Sequence, residues 1–453
     1  MEPMVIPLVD EGLGNSAFLV TLDDGRALAV DASRDLRAVR AAAATRNLRV
    51  AFAADTHLHA DFLSGARQLA ARDGATVLAS SAGRREFGHI GLEDGDEVDL
   101  GGLCLRALGT PGHTDEHLAF LLLDGQCPLG VFTGGSMLVG SVARTDLVDP
   151  DRTEELARAQ YRSVQRLLTL PDDIAVWPTH GAGSFCSAPA GGERTSSIAR
   201  ERATNPLLRA ADEDAFVAAL IGSLGSFPPY FLRLGEQNRR GPAVVDSTPK
   251  VPSLTVNEAR AMLARGAQLV DVRPVASFAA AHIPGSLSIA LREVFATWLG
   301  WVAPHDKAII IVREATQDLD EIFWQAAKVG YDNLIGELAG GVAGWQQTGL
   351  PVTSTRLAAA QTFVGRRLVD VRQASEFAAG HVPHATHREL GTLSASAAGL
   401  PEGPIAVMCG HGERAMTAAS MLERAGHRDV VTVMGGPADW ATGQEVALET
   451  NGW

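Results

Sequence analysis

Short apolar runs separated by turn residues dominate the hydrophobic pattern of this chain. Near the start, Ala17-Phe18-Leu19-Val20-Thr21-Leu22, Ala27-Leu28-Ala29-Val30 and Val50-Ala51-Phe52-Ala53-Ala54 predict strands. Beyond residue 250 the pattern changes. Leu269-Val270-Asp271 and Leu368-Val369-Asp370 each end an apolar run in aspartate and lead into a stretch with alanines. Second runs follow at Ala308-Ile309-Ile310-Ile311-Val312 and Pro404-Ile405-Ala406-Val407-Met408. Strands that alternate with helices in this way predict small parallel sheets covered on both faces. Helices are predicted from Glu213 to Leu224 and after Arg414, where Ala418, Met421 and Leu422 keep helical spacing.

An internal repeat underlies the second half. Leu269-Val270-Asp271-Val272-Arg273 returns as Leu368-Val369-Asp370-Val371-Arg372, and His282-Ile283-Pro284 returns as His381-Val382-Pro383 at the same offset. Gly340-Gly341-Val342-Ala343-Gly344-Trp345 returns as Gly435-Gly436-Pro437-Ala438-Asp439-Trp440. Segments 253–353 and 357–453 are therefore read as two copies of one domain, each of ordinary domain size. Gly241-Pro242 through Pro249-Lys250-Val251-Pro252 reads as the linker before the first copy, and Gly349-Leu350-Pro351-Val352 closes that copy. Residues 1–248 form the remaining domain, with a C-terminal extension that carries an arginine-rich stretch and Pro228-Pro229-Tyr230-Phe231.

Composition narrows the class. At 453 residues, 46% hydrophobic and 20% charged, the chain reads as a multidomain α/β protein. A net charge of −14 argues against nucleic acid or an anionic membrane as partner, because both select a basic surface. No apolar run is long enough to span a bilayer, and the start has no basic-then-apolar signal pattern. Cys104, Cys127, Cys186 and Cys409 share no zinc-like spacing, which points to reduced thiols in a cytoplasmic setting. Oligomeric state, including a homo-oligomer, is left open.

The most pointed chemistry lies at the end of the strand at Met408. It delivers Cys409-Gly410-His411-Gly412-Glu413-Arg414-Ala415, and a helical pattern follows. A cysteine on a glycine-bearing turn that opens a helix faces backbone N–H groups and the positive end of the helix dipole, which stabilise a thiolate or an anion. Arg414 adds a fixed positive charge. A buried structural cysteine is the bland alternative. The arrangement resembles the active-site loop of the rhodanese family, one residue shorter than the loop of cysteine phosphatases. That resemblance implies a catalytic Cys409 and Arg414 and a persulfide loop of Gly410, His411, Gly412 and Glu413. The first copy has Val312-Arg313-Glu314-Ala315-Thr316-Gln317-Asp318 instead, with Arg313 at the cysteine position. It resembles the inactive repeats of tandem rhodaneses.

Histidines cluster after strands in the first domain. They fall in Thr56-His57-Leu58-His59-Ala60-Asp61-Phe62, in Gly112-His113-Thr114 and in Pro178-Thr179-His180-Gly181-Ala182-Gly183-Ser184-Phe185-Cys186. A single histidine is ordinarily structural, whereas three clusters at strand ends suggest metal ligation. Over roughly residues 5–190 these motifs resemble the metallo-β-lactamase superfamily, and within it the persulfide dioxygenase branch that is often fused to rhodanese domains. The resemblance implies an αββα sandwich ahead of two rhodanese-like α/β domains with parallel sheets. It also implies a mononuclear iron held by His57, His113 and an aspartate.

The expected aspartate would end a Thr-Gly-Asp turn, but the chain has Thr133-Gly134-Gly135, and Phe62 stands where dinuclear hydrolases carry a histidine. His57, His59 and His113 remain as a three-histidine set, with Asp61 and His180 as additional candidates. Fe2+, Zn2+ or no metal at all stay open. Arg144 is a candidate to hold a substrate carboxylate and Asp146 to support a histidine, each with a plain ion-pair alternative.

The leading expectation is oxidation of a low-molecular-weight persulfide to sulfite at the metal and sulfur transfer through a Cys409 persulfide, with thiosulfate or sulfite as further small-molecule partners. The alternatives are a sulfurtransferase on a non-catalytic or metal-free first domain, and a thioester hydrolase of the glyoxalase II type.

Overall fold

In the computed structural model, the described residues are 4–186, 192–245, 250–362, 365–400 and 403–450. Residues 246–249 of the expected linker, and the first three residues of the chain, lie outside them. The chain forms two compact units, Met1–Ser247 with Ala327–Gly330, and Thr248–Ala326 with Tyr331–Trp453.

The first unit is built on two six-stranded sheets. One runs Val5–Asp10, Asn15–Thr21, Arg26–Val30, Arg49–Ala54, Thr76–Ser80, Ile90–Leu92. The other runs Ser196–Ser197, Ala175–Pro178, Cys127–Gly134, Leu118–Asp124, Leu103–Gly109, Glu97–Asp99. Strand alternation divides the apolar residues among three cores. Phe18, Val20, Leu28, Phe120, Leu122 and Phe132 meet between the sheets. Leu19, Ala29 and Ala53 face outward with Val39 and Leu69 of the helices Arg37–Ala44 and Ala66–Asp73. Leu121, Leu123 and Val131 face the other way with Val164 and Phe216 of the helices Thr153–Leu167 and Glu213–Gly222. Both faces of each sheet are thus buried, which explains why these strands read as continuous apolar runs. The layers are helix, sheet, sheet, helix.

In the second unit, each copy of the repeat builds a five-stranded parallel sheet in the same order. The first runs Ser253–Leu254, Leu334–Leu338, Ile309–Val312, Gln268–Asp271, Leu287–Ser288. The second runs Arg356–Ala359, Val430–Met434, Ile405–Met408, Arg367–Asp370, Thr386–His387. In register, Asp271 pairs with Val312 and Asp370 with Met408, so each Asp-Val-Arg motif lies beside the strand that feeds the loop. Among the described residues, no helix is long and apolar enough to cross a membrane.

Candidate functional site

In the first unit the chemistry gathers where strands end. Ala54 leads into the His57 loop, Gly109 into His113 and Pro178 into His180. The His57 loop is fixed by buried acceptors. Asp31 takes the Thr56 N–H at 2.7 Å and the Thr56 hydroxyl at 2.8 Å, while Glu116 takes the Leu58 N–H at 2.6 Å. Asn238, from the helix Phe231–Arg240, donates to the carbonyls of His59 and Phe62 at 2.7 and 2.8 Å and accepts the Ser64 N–H at 2.8 Å. These bonds leave the loop little freedom to re-aim its side chains.

The ligand atoms of His57, His113 and His180 lie within 4.8 Å of one another, and all three residues are buried. Each ring is oriented through its Nδ1. The Thr56 hydroxyl already donates to Asp31, so at 2.9 Å it accepts the Nδ1–H of His57. The Arg144 carbonyl accepts that of His113 at 2.6 Å, and Asn15 Oδ1 that of His180 at 3.0 Å. These partners fix the tautomers and turn three Nε2 lone pairs inward. Nε2 of His57 and of His180 face each other at 3.4 Å, and Nε2 of His113 is buried without a hydrogen-bond partner. Facing lone pairs repel unless a cation lies among them. Burial, followed by the neighbouring imidazoles, holds the His57 ring well below its ordinary pKa. Burial and His180 push His113 down to about 3. Pre-aimed imidazoles, one of them with an orphaned nitrogen, fit a divalent transition-metal ion.

The other sequence candidates surround this cluster. His59 points its Nε2 at Asp31, 3.1 Å away, and stacks on Phe62 with ring centroids 4.2 Å apart. It belongs to neighbouring groupings, one with Asp61 and His180 and one with Asp31 and Asp55. The Phe62 ring therefore packs on His59. Asp61 accepts from Asn15 at 2.6 Å and lies 3.2 Å from His180 Nδ1. Burial opposes its ionisation, but His180, His59 and Asn15 outweigh that and hold the carboxyl below its usual range. Arg144 is buried and spends its guanidinium on Asp146 (2.7 Å to each oxygen), the carbonyls of Phe185 and Gly225, and the Phe227 ring. Its backbone carbonyl, rather than its side chain, reaches the cluster, and Asp146 supports Arg144. Gly135 donates its N–H to His117 Nε2 at 3.0 Å.

In the second unit, Cys409 is 1% exposed and its Sγ accepts the Gly412 N–H at 3.1 Å. Gly412 sits at φ +128°, and a Cβ there would lie 2.7 Å from Met434 Sδ, so only glycine closes this turn. The helix Glu413–Arg424 starts directly after it and adds its N-terminal dipole. Arg414 is clamped by Glu376 at 2.6 and 2.8 Å, beside the Trp298 ring of the first copy with 5.8 Å to the centroid. Burial opposes the charge on Arg414, yet Glu376 and Cys409 raise its pKa. His411 is exposed and Gly410 half-buried on the same loop.

Several positioning residues escaped the sequence reading, namely Asp31, Asn15, His117, Gln160 and Asn238. Only His117 carried a local signal, four positions beyond His113 on the same turn. Asn238 reaches its loop from a distant helix, which no spacing could announce.

The rhodanese-like domain family matches residues 255–348 and 354–442. The human mitochondrial persulfide dioxygenase ETHE1 is 31% identical over 170 residues, which cover 37% of this chain and 60% of the relative. A hydroxyacylglutathione hydrolase from Ruegeria pomeroyi is 30% identical over 199 residues, covering 38% of this chain and 73% of the relative. The crystal structure of a metallo-beta-lactamase from Staphylococcus aureus superimposes with a TM-score of 0.65 at 27% identity, covering 74% of this chain and 98% of that one. The chain spans about 60% of the length of the ETHE1 relative. With its sandwich, its histidine cluster and its paired parallel sheets, the chain joins a metallo-β-lactamase fold, similar in sequence to persulfide dioxygenases, to two rhodanese-like domains.

Proposed function

We propose that this chain oxidises a low-molecular-weight persulfide in its first unit and transfers sulfane sulfur through Cys409 in its second. The observation that carries this reading is the convergence of three inward-facing imidazoles on a chain that also cradles a buried thiol. In the overall oxidation, a persulfide, dioxygen and water give a thiol, sulfite and two protons. A ferrous ion would supply the redox chemistry with dioxygen that side chains lack.

The chain's own residues do the rest. His57, His113 and His180 would hold the ion, and Thr56, the Arg144 carbonyl and Asn15 fix the rings. At Cys409, Sγ attacks the outer sulfur of thiosulfate or of a persulfide. The old S–S bond breaks as sulfite or thiol leaves, and a Cys409 persulfide forms. An acceptor thiol then takes the outer sulfur and restores the Cys409 thiolate. The Gly412 N–H and the Arg414 charge stabilise the anionic sulfur in each half. Carrying both chemistries on one chain raises the effective concentration of a reactive intermediate.

The test pairs metal content of the purified chain with oxygen uptake on glutathione persulfide. Iron near one per chain, with uptake lost in His113→Ala, supports the reading. Absence of stoichiometric metal and of uptake, with sulfur transfer intact, leaves a sulfurtransferase. Zinc with thioester cleavage favours the hydrolase chemistry named for the Ruegeria relative.

A further inference from the structure

Position 135 is where the resemblance to persulfide dioxygenases calls for a carboxylate ligand, and here it is glycine. The structure shows more than a missing side chain. A Cβ at Gly135 would lie 2.4 Å from Cδ2 and 2.8 Å from Cγ of His113, and 3.1 Å from the Ala143 Cβ. A Cβ at Gly134, at φ +54°, would lie 2.5 Å from both His117 Nε2 and Thr56 Oγ1.

The turn cannot back away, because it is tied on several sides. Gly135 N–H donates to His117, and its carbonyl accepts from Ala143 N at 3.0 Å and from Gln160 Nε2 at 3.1 Å. Gln160 in turn accepts the His113 N–H at 2.9 Å. The His113 ring therefore lies against bare backbone, and any side chain at 135 would displace the ring.

A carboxylate is nonetheless present in the cluster. Asp61 is 2% exposed, lies 3.2 Å from the Nδ1 of His180, and is joined to the same histidine through Asn15. Its Oδ1 is buried without a hydrogen-bond partner.

We propose that the anionic arm of the metal centre has moved in this chain from residue 135 to the His180–Asp61 pair. His57, His113 and His180 are the ligands, Asp61 lends its charge through the His180 imidazole, and Gly135 is the packing condition that lets His113 reach the ion. This rests on the metal-bound reading given above. A carboxylate behind a ligating imidazole raises its basicity, and removing such a partner typically lowers metal affinity about 10–100-fold.

The experiment titrates Co2+ into the chelator-treated full chain, read by visible absorption, with Fe2+ affinity measured by chelator competition. The variants are His180→Ala, His180→Gln, Asp61→Asn and Gly135→Asp, each checked for folding by Cys409 sulfur transfer and by circular dichroism. Both His180 variants are expected to lose the parent Co2+ spectrum and stoichiometric iron. Asp61→Asn should weaken affinity about 10–100-fold, and Gly135→Asp should bind less tightly than the parent. A folded His180 variant with parent affinity and spectrum, or a Gly135→Asp variant that binds more tightly, overturns the proposal. A parent chain that binds neither Co2+ nor Fe2+ overturns the metal reading itself, a result distinct from unaffected variants.

Discussion

The two copies of the repeat share a frame and differ at one loop. In the first, Arg273 grips Asp271 at 2.6 Å and the Ala281 carbonyl at 2.8 Å. In the second, Arg372 grips Asp370 at 2.7 Å and the Gly380 carbonyl at 2.8 Å. His282 stacks on Phe278 with centroids 3.9 Å apart, and His381 on Phe377 at 3.8 Å. The loops have opposite polarity. Around Cys409 a backbone N–H points inward at the sulfur. Around Arg313 the guanidinium gathers the carbonyls of Glu314, Ala315 and Gln317 and the Glu337 carboxylate at 2.6 Å. A lined hollow of about 400 Å³ persists there, with Arg273, Arg313, Glu314 and Glu337 on its walls. The same frame thus carries a loop that turns a donor onto a thiol in one copy and a loop that turns carbonyls onto a guanidinium in the other.

The largest effect should come from exchanging the residues at the two equivalent loop positions. Cys409→Ser is expected to abolish thiosulfate-to-cyanide transfer and the one-sulfur mass increment on the protein. Arg313→Cys should gain neither, because the carbonyls that Arg313 now gathers belong to a loop without the glycines that turn N–H groups inward. A persulfide on the Arg313→Cys protein would break the comparison.

Next come the shared ion pairs. Asp271→Asn and Asp370→Asn each leave a buried arginine without its counter-charge, so each should cost about 3–5 kcal/mol in denaturant unfolding. Only Asp370→Asn should also slow transfer, since Asp370 lies in register with Met408 at the head of the loop. Equal losses of transfer from both variants would refute the separation of frame from loop.

Gly412→Ala should lower kcat/KM for transfer by roughly 10²-fold, the usual effect of losing one preorganised donor, because its Cβ meets Met434. Thr316→Ala, at the matching and exposed position of the first copy, should change neither transfer nor stability beyond about 0.5 kcal/mol. Arg313→Ala should cost more stability than Thr316→Ala and less than the two ion-pair variants. Its pair with Glu337 is partly solvated, so the loss should stay near about 1 kcal/mol with transfer intact.

Much of this organisation was legible in the residues. The Asp-Val-Arg and His-x-Pro repeats pointed to two copies because both motifs build the frame, and frames tolerate little change. The Cys409 loop was legible because glycines, a cysteine and an arginine at that spacing admit few structures. The histidine cluster was harder to read. His57 and His59 are alternate residues of one loop, yet His57 joins His113 and His180 while His59 turns to Asp31. That choice is made by Asp31, Phe62 and Asn238, which come from a neighbouring strand end, the loop itself and a late helix.

Sequence alone thus determined the strands, the parallel sheets, the duplication and the glycine-bearing loop at Cys409, since each is written in local periodicity or contiguous motif chemistry. The tertiary structure decided which nitrogens face one another, why no side chain fits at Gly135, and which carboxylate stands behind the cluster. The physical reason is that a loop side chain's direction is set by the buried hydrogen bonds it can make, and those partners are far away along the chain.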